Sequence, residues 1–162
     1  MKDEQKSKKD LITELEALRR ENKQLRGKQT KKTDPQRTGK TILIVDDNEN
    51  TREIVTAIVT ELGYSTIEEE NPQQAINRFS RDPSAIDLVL SDIVMPNGGG
   101  PEMIDTMAKI TPGIKVIFMS GYAEDEIVHD AVFKIQHSCA VFIKKPFTMT
   151  EIEPLIKNQI GV

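Results

Sequence analysis

The sequence has no tryptophan, only one cysteine and no long run of apolar residues. A single cysteine, Cys139, cannot form an intramolecular disulfide, and its place at the start of an apolar run favours a small packed side chain. No segment reaches the roughly 18 to 20 apolar residues of a membrane-spanning helix, and the amino terminus lacks the apolar centre of a secretory signal. We therefore expect a cytoplasmic protein without membrane insertion.

Charge divides the chain into two parts. Residues 1–40 carry 13 Lys or Arg and 7 Asp or Glu, a net charge of +6, whereas residues 41–162 carry 9 and 19, a net charge of −10. A basic segment before an acidic one indicates two regions with different roles. The length of 162 residues fits one domain of ordinary core size plus a tail.

The first region, residues 1–27, has the heptad spacing of a coiled coil. Its a and d positions are Leu11, Leu15, Leu18, Asn22 and Leu25. Asn22 occupies an a position, where a buried amide favours a parallel two-stranded register. Glutamates at g and arginines at e have the spacing of interchain ion pairs. We expect a homodimer through this coil; the alternative is one amphipathic helix that packs on its own domain, because short isolated helices are marginally stable.

Residues 28–40 read as a basic flexible linker, because Gly, Thr, Pro and Lys replace the heptad pattern. The segment has no aromatic side chain and no helical basic face. We therefore expect a solvated linker and no nucleic-acid contact.

The second region, residues 41–162, contains four apolar runs that end in residues suited to phosphoryl chemistry. The runs are TILIV before Asp46 and Asp47, DLVLS before Asp92, KVIFM before Ser120, and AVFIK at Lys145. Helix-like stretches alternate with these runs and with a short strand at 64–67; they are 49–62, 72–80, 100–110, 124–135 and 148–160. Five strands alternating with five helices predict an α/β fold with a parallel sheet covered on both faces. Ligands bind such sheets at the carboxyl ends of the strands, so these side chains should meet.

The residue types match a phosphoryl acceptor. A carboxylate at a strand end can attack a phosphoryl group and carry it as an acyl phosphate, provided that a hard cation such as Mg²⁺ offsets the repulsion between anions. A lysine ammonium and a serine hydroxyl can bind phosphoryl oxygens. Each residue alone has a simpler explanation: aspartate and serine often follow strands as helix caps or turn formers, and Lys145 alone reads as an ordinary solvated lysine. Their joint occurrence at four strand ends favours a site.

The segments ILIVDDNE, DLVLSDIVMPNGGGPEMI, VIFMSGYAEDE and FIKKPF together resemble the receiver domain of two-component response regulators, over about residues 40–160. The resemblance implies a flavodoxin-like, doubly wound sheet of strand order 2-1-3-4-5. It also implies that Asp92 accepts a phosphoryl group from a histidine kinase or a histidine phosphotransfer protein. Asp47, Asp92 and the backbone carbonyl of Val94 would hold Mg²⁺, and Asp46 would help through water.

The resemblance further implies roles at the other strand ends. Lys145 and Ser120 would bind the phosphoryl group, and the peptide bond before Pro146 would be cis. Phe142 takes the position of the switch aromatic, which would turn inward together with the movement of Ser120. This change would alter the face formed by the helix at 124–135, the last strand and the last helix. A local change of charge at Asp92 would in this way switch a surface between two states.

Two departures from the family pattern matter. The stretch between Ser120 and Lys145 is a few residues longer than usual, and Val94 and Tyr122 stand where the family varies side chains that tune hydrolysis of the acyl phosphate. Neither side chain orients water as an acid or an amide would, so we expect a long-lived phosphoryl state. His129 and His137 lie at no strand end and are interpreted as surface or loop residues.

We expect a stand-alone phosphoacceptor that acts on downstream proteins by contact, because the sequence ends directly after the last helix. It would be a switch and not an enzyme beyond its own phosphotransfer and dephosphorylation. One alternative is a binding module whose site is unused. Another is a phosphohydrolase that forms an aspartyl phosphate, but that chemistry needs a carboxylate two residues after Asp92, where Val94 stands.

Overall fold

The computed structural model describes residues 39–96, 98–121 and 139–161. The strands in these ranges are β1 (Thr41–Val45), β2 (Ser65–Glu69), β3 (Leu88–Asp92), β4 (Lys115–Ser120) and β5 (Cys139–Lys144). The α-helices are α1 (Glu49–Glu61), α2 (Pro72–Arg81), α3 (Gly100–Ile110) and α4 (Met149–Ile160), with a 3₁₀ turn at Pro83–Ala85. The predicted coil at 1–27, most of the linker and the helix predicted at 124–135 lie outside the described residues.

The five strands form one parallel sheet of order β2-β1-β3-β4-β5. This order confirms the predicted flavodoxin-like topology. The register sets Val45 beside Ser91, and Asp92 beside Met119. The carboxyl ends of β1, β3, β4 and β5 therefore lie at one edge of the sheet.

The helices begin at the residues that the sequence favours. Asn48 accepts a hydrogen bond from Thr51 N at the start of α1, and Asn71 accepts one from Gln74 N at the start of α2. These side chains satisfy backbone donors that have no partner within the helix. β2 starts one residue later and ends two residues later than predicted. None of the helices in the described ranges is long and apolar enough to cross a membrane.

The core consists of two apolar clusters, one on each face of the sheet. Alternate residues of β1 divide between them, with Leu43 and Val45 in one cluster and Ile42 and Ile44 in the other. All four side chains are fully buried. Such a strand, apolar on both faces, is typical of a parallel sheet covered by helices on each side. Because β1 is held on both faces, the polar residues that follow it lie at a fixed place at the end of the strand.

Candidate functional site

The predicted residues converge at the carboxyl edge of the sheet. Asp46 and Asp47 follow β1, Asp92 ends β3 and Lys145 follows β5. One carboxylate oxygen from each aspartate lies within 4.8 Å of the other two. Lys145 Nζ lies 2.6 Å from Asp46 Oδ2 and 3.2 Å from Asp92 Oδ2. Four residues that are up to 99 positions apart in the sequence thus form one cluster.

Asp46 is the fixed member of the cluster, since its side chain is almost fully buried. Its Oδ1 accepts a hydrogen bond from Asn48 N at 2.9 Å, and its Oδ2 accepts one from Lys145 Nζ. Its backbone carbonyl accepts a 2.7 Å hydrogen bond from Arg52 Nη1. Both side-chain oxygens are therefore occupied by partners from the protein, whereas Asp47 is exposed to solvent.

The sequence pattern did not predict a role for Arg52 at the site. It stands in the first turn of α1, where an arginine reads as an ordinary exposed helix residue, yet it anchors the turn that carries the acidic pair. The available signal was its spacing, since a residue four positions after the helix cap faces back over the turn that enters the helix.

Asp92 lies in surroundings that disfavour its charge. Its side chain is 17% exposed, and burial raises the pKa of its carboxyl group. The ammonium of Lys145 opposes this rise, and the nearby charge of Asp46 adds to it. Asp92 Oδ1 accepts a hydrogen bond from Ile93 N at 2.8 Å, which orients the carboxylate at the end of its strand.

Ser120 and Lys145 are joined through the backbone. Ser120 ends β4 opposite Lys144, and its carbonyl accepts a 2.7 Å hydrogen bond from Lys145 N. The peptide bond between Lys145 and Pro146 is cis, as predicted. Both residues therefore lie at the same edge of the sheet as the carboxylates.

Phe142 lies in the middle of β5 and is half-buried. Its ring stacks on that of Phe118 in β4, with ring centroids 5.4 Å apart and an angle of 26° between the planes. Phe118 is fully buried. The predicted switch aromatic therefore contacts the core directly, on the strand next to the one that ends in Ser120.

The donor set fits a divalent cation. Three carboxylates cluster at this edge and one lysine ammonium pairs with two of them, so negative charge is in excess. Carboxylate and carbonyl oxygens are the ligands that Mg²⁺ prefers. Val94, whose carbonyl is the third predicted ligand besides Asp47 and Asp92, lies two residues beyond Asp92 and is 57% exposed. The coil residues and both histidines lie outside the described residues.

Comparisons with known proteins identify the family that this sequence and fold resemble. The profile of the family described as "Response regulator receiver domain" matches residues 42–157. The chemotaxis protein CheY of Thermotoga maritima is 32% identical over 115 residues, which are 70% of this chain and 92% of that protein. The sensor kinase CckA of Brucella abortus is 29% identical over 120 residues, but the chain spans only 12% of its length. The solved CheX-CheY-BeF3-Mg complex from Borrelia burgdorferi superposes with a TM-score of 0.67 and 26% identity, covering 76% of this chain and 90% of the matched chain.

Proposed function

Because the chain belongs to the response regulator receiver domain family, we propose that Asp92 accepts a phosphoryl group from a histidine kinase or a histidine phosphotransfer protein. The observation that carries this proposal is the position of Asp92. It ends a strand, its Oδ2 lies 3.2 Å from Lys145 Nζ, and two further carboxylates lie close to it. An ion pair with a purely structural role would not need the third carboxylate, that of Asp47, beside the two that pair with Lys145.

The transfer step uses the Asp92 carboxylate as the nucleophile. A carboxylate oxygen forms a bond to phosphorus while the bond between phosphorus and the donor histidine nitrogen breaks, which leaves an acyl phosphate on Asp92. Lys145 places a positive charge where negative phosphoryl oxygens arrive. Ser120, joined to Lys145 through its carbonyl, supplies a hydroxyl to another of these oxygens.

Asp47, Asp92 and the carbonyl of Val94 are the proposed ligands of Mg²⁺. Asp46 contributes through water, since both of its oxygens already accept hydrogen bonds from Asn48 and Lys145. When bound, the cation offsets the repulsion between the carboxylates and the phosphoryl oxygens. The CheX-CheY complex from Borrelia burgdorferi, a structure of the same fold that contains BeF3 and Mg, supports the proposed binding of Mg²⁺.

Output is proposed to run through protein contacts with a downstream target. Ser120 and Phe142 would transmit the state of Asp92 to the surface, because β4 and β5 are paired along their whole length and Phe142 already packs on Phe118. The protein would act as a stand-alone switch in the cytoplasm, without catalysis beyond its own phosphotransfer and dephosphorylation. Residues 1–27 would hold two copies together.

Intact mass spectrometry after incubation with acetyl phosphate tests the proposal. We expect one phosphoryl adduct on the wild-type protein in the presence of Mg²⁺, much less after chelation, and none on Asp92→Asn. The matched control is Asp105→Asn, because Asp105 lies on α3 and pairs with Lys109 at 2.8 Å. This variant should keep the adduct. Absence of any adduct, with acetyl phosphate and with a panel of histidine kinases, would leave a binding module that works without phosphorylation.

A further inference from the structure

Gly100, the first residue of α3, is in unusually close contact with the acceptor strand. A β-carbon at this position would overlap the backbone carbonyl oxygen of Asp92. It would also lie 2.7 Å from Ser91 Oγ, which is shorter than real contacts of a β-carbon, and 3.1 Å from a ring atom of Phe118. The backbone of Gly100 is outside the left-handed region. Lack of space, and not conformation, therefore requires glycine here.

The Asp92 carbonyl that Gly100 approaches is also held by Ser91. This side chain is fully buried, and its hydroxyl donates a 2.8 Å hydrogen bond to the carbonyl of Asp92. Gly100 N donates a 2.9 Å hydrogen bond to the carbonyl of Ile93. The loop from Asp92 to Gly100 is thus closed at its base, and Val94 lies within the closed part.

We propose that Gly100 and Ser91 are positioning residues that set the distance between the β3 ligands and the β1 acidic pair. Asp92 and Val94 belong to the loop that they close, whereas Asp46 and Asp47 belong to a different strand. A methyl group at position 100 must displace the backbone of Asp92. It therefore moves two proposed ligands, Asp92 and Val94, relative to the third, Asp47, and to Asp46. This inference rests on the proposed function, since it concerns the same cation site.

Two other glycines of the region, Gly98 and Gly121, have open space at the β-carbon position and serve as comparisons. Gly98 has a φ of 121° and open space around it, so its requirement is conformational. Gly121 has no atom within 4 Å of a β-carbon and no left-handed backbone, although it follows Ser120 at the same edge of the sheet. Gly121→Ala is therefore a matched substitution that adds the same methyl group near the site without a clash.

The test is a titration of the full chain with Mn²⁺, followed by the electron paramagnetic resonance signal of the free ion, with Mg²⁺ as the competitor. We expect Gly100→Ala to raise the dissociation constant about tenfold or more, the scale of losing a residue that orients a metal ligand. Ser91→Ala, which removes the hydrogen bond and adds no atom, should raise it severalfold. Gly121→Ala should bind as the wild type does. Thermal unfolding in metal-free buffer shows whether each variant is folded.

The outcomes separate this inference from the proposed function. Wild-type affinity in folded Gly100→Ala would overturn it, and if that variant does not fold, wild-type affinity in Ser91→Ala would do the same. A wild-type protein that binds no Mn²⁺ would also overturn it. If the wild type binds Mn²⁺ but acetyl phosphate gives no adduct, the proposed function fails, whereas the ratio of dissociation constants still decides the role of Gly100.

Discussion

Asp92 ends β3 where its negative charge is partly removed from water and lies close to that of Asp46. These surroundings raise the pKa of its carboxyl group above the unfolded value of about 3.9. A carboxyl group with a raised folded pKa makes its full contribution to stability below the unfolded pKa and loses it as the pH rises through the folded pKa. At neutral pH, the metal-free protein is therefore destabilised by the residue that we propose as its acceptor.

Asp92→Asn should accordingly increase the free energy of unfolding at pH 7 by about 1 kcal/mol, as is common when a functional charge is neutralised. The amide oxygen can still accept the hydrogen bond from Ile93 N. The gain should vanish below about pH 3.9, where the carboxyl group is protonated in the unfolded chain as well. Urea unfolding in EDTA at pH 7 and pH 3.5 measures both values, and a loss of stability at pH 7 would contradict this account.

The pKa of Asp87 shifts in the opposite direction from that of Asp92, so the same substitution by asparagine should have the opposite effect on stability. Partial burial acts to raise the pKa of Asp87, but the lowering interactions outweigh it. They are hydrogen bonds of 2.9 Å from Lys40 Nζ and Thr41 N, together with the charges of Lys40 and Lys115. The folded pKa is therefore lower than the unfolded one.

A carboxyl group with a lowered folded pKa stabilises the fold above its unfolded pKa and loses that contribution as the pH falls through the folded pKa. Asp87→Asn should thus cost about 1 kcal/mol at pH 7, the usual net value of a hydrogen bond. The cost should disappear below the folded pKa of Asp87. Urea unfolding over a series of pH values from 7 downward measures this cost, and a cost of Asp87→Asn that does not fall as the pH is lowered would refute the assignment.

Val94 stands two residues after the proposed acceptor, where we expect it to influence how water reaches the acyl phosphate. The residue is 57% exposed, and its side chain has no group that can orient or deprotonate a water molecule. We expect a long-lived phosphoryl state, and Val94→Glu should shorten its half-life by about tenfold, since a positioned general base accelerates such steps by at least that much. Val94→Leu, which stays apolar, should match the wild type. The decay of the adduct mass after removal of acetyl phosphate gives the half-lives; a wild-type lifetime unaffected by the glutamate would refute this role.

Among the elements, the sequence predicted those whose pattern is local. β1 and β3 are continuous apolar runs, and α1 and α2 start at asparagine caps, so their positions follow from hydrophobic pattern and hydrogen-bonding capacity. The same reasoning predicted that the residues of the candidate site lie close together, because parallel strands bring their carboxyl ends to one edge of the sheet. The ends of β2 were predicted less accurately because it is an edge strand with few apolar residues. Three of its five residues have half-buried polar side chains.

The features that could not be predicted arise from packing between elements. Gly98 and Gly100 look alike in the run of three glycines, yet one is required by its backbone and the other by the space that Asp92 leaves. Arg52 resembles any exposed helix residue until α1 is placed over the turn after β1. Such requirements depend on the distance between two elements, which is not encoded in either segment alone.

At the scale of the whole molecule, the domain has two ends with different roles. The carboxyl edge of the sheet holds the proposed acceptor, whereas Lys40 and Thr41 bind Asp87 at the opposite edge, where the basic segment joins the domain. β1 has five residues, so about 16 Å of strand separates the two edges.

The proposed homodimer depends on the heptad pattern in residues 1–27, and a single charge can test it. Leu18 occupies a central d position, so Leu18→Glu would bury a carboxylate on each chain and should weaken dimerisation by about 100-fold or more. Thr13→Glu adds the same side chain at the solvent-facing f position and should leave the dimer intact. Sedimentation velocity at micromolar concentration distinguishes the two species. Both variants should accept a phosphoryl group from acetyl phosphate, because the proposed site lies wholly between Asp46 and Lys145. A monomeric wild type, or a Leu18→Glu dimer as stable as the wild type, would show that this segment packs in another way.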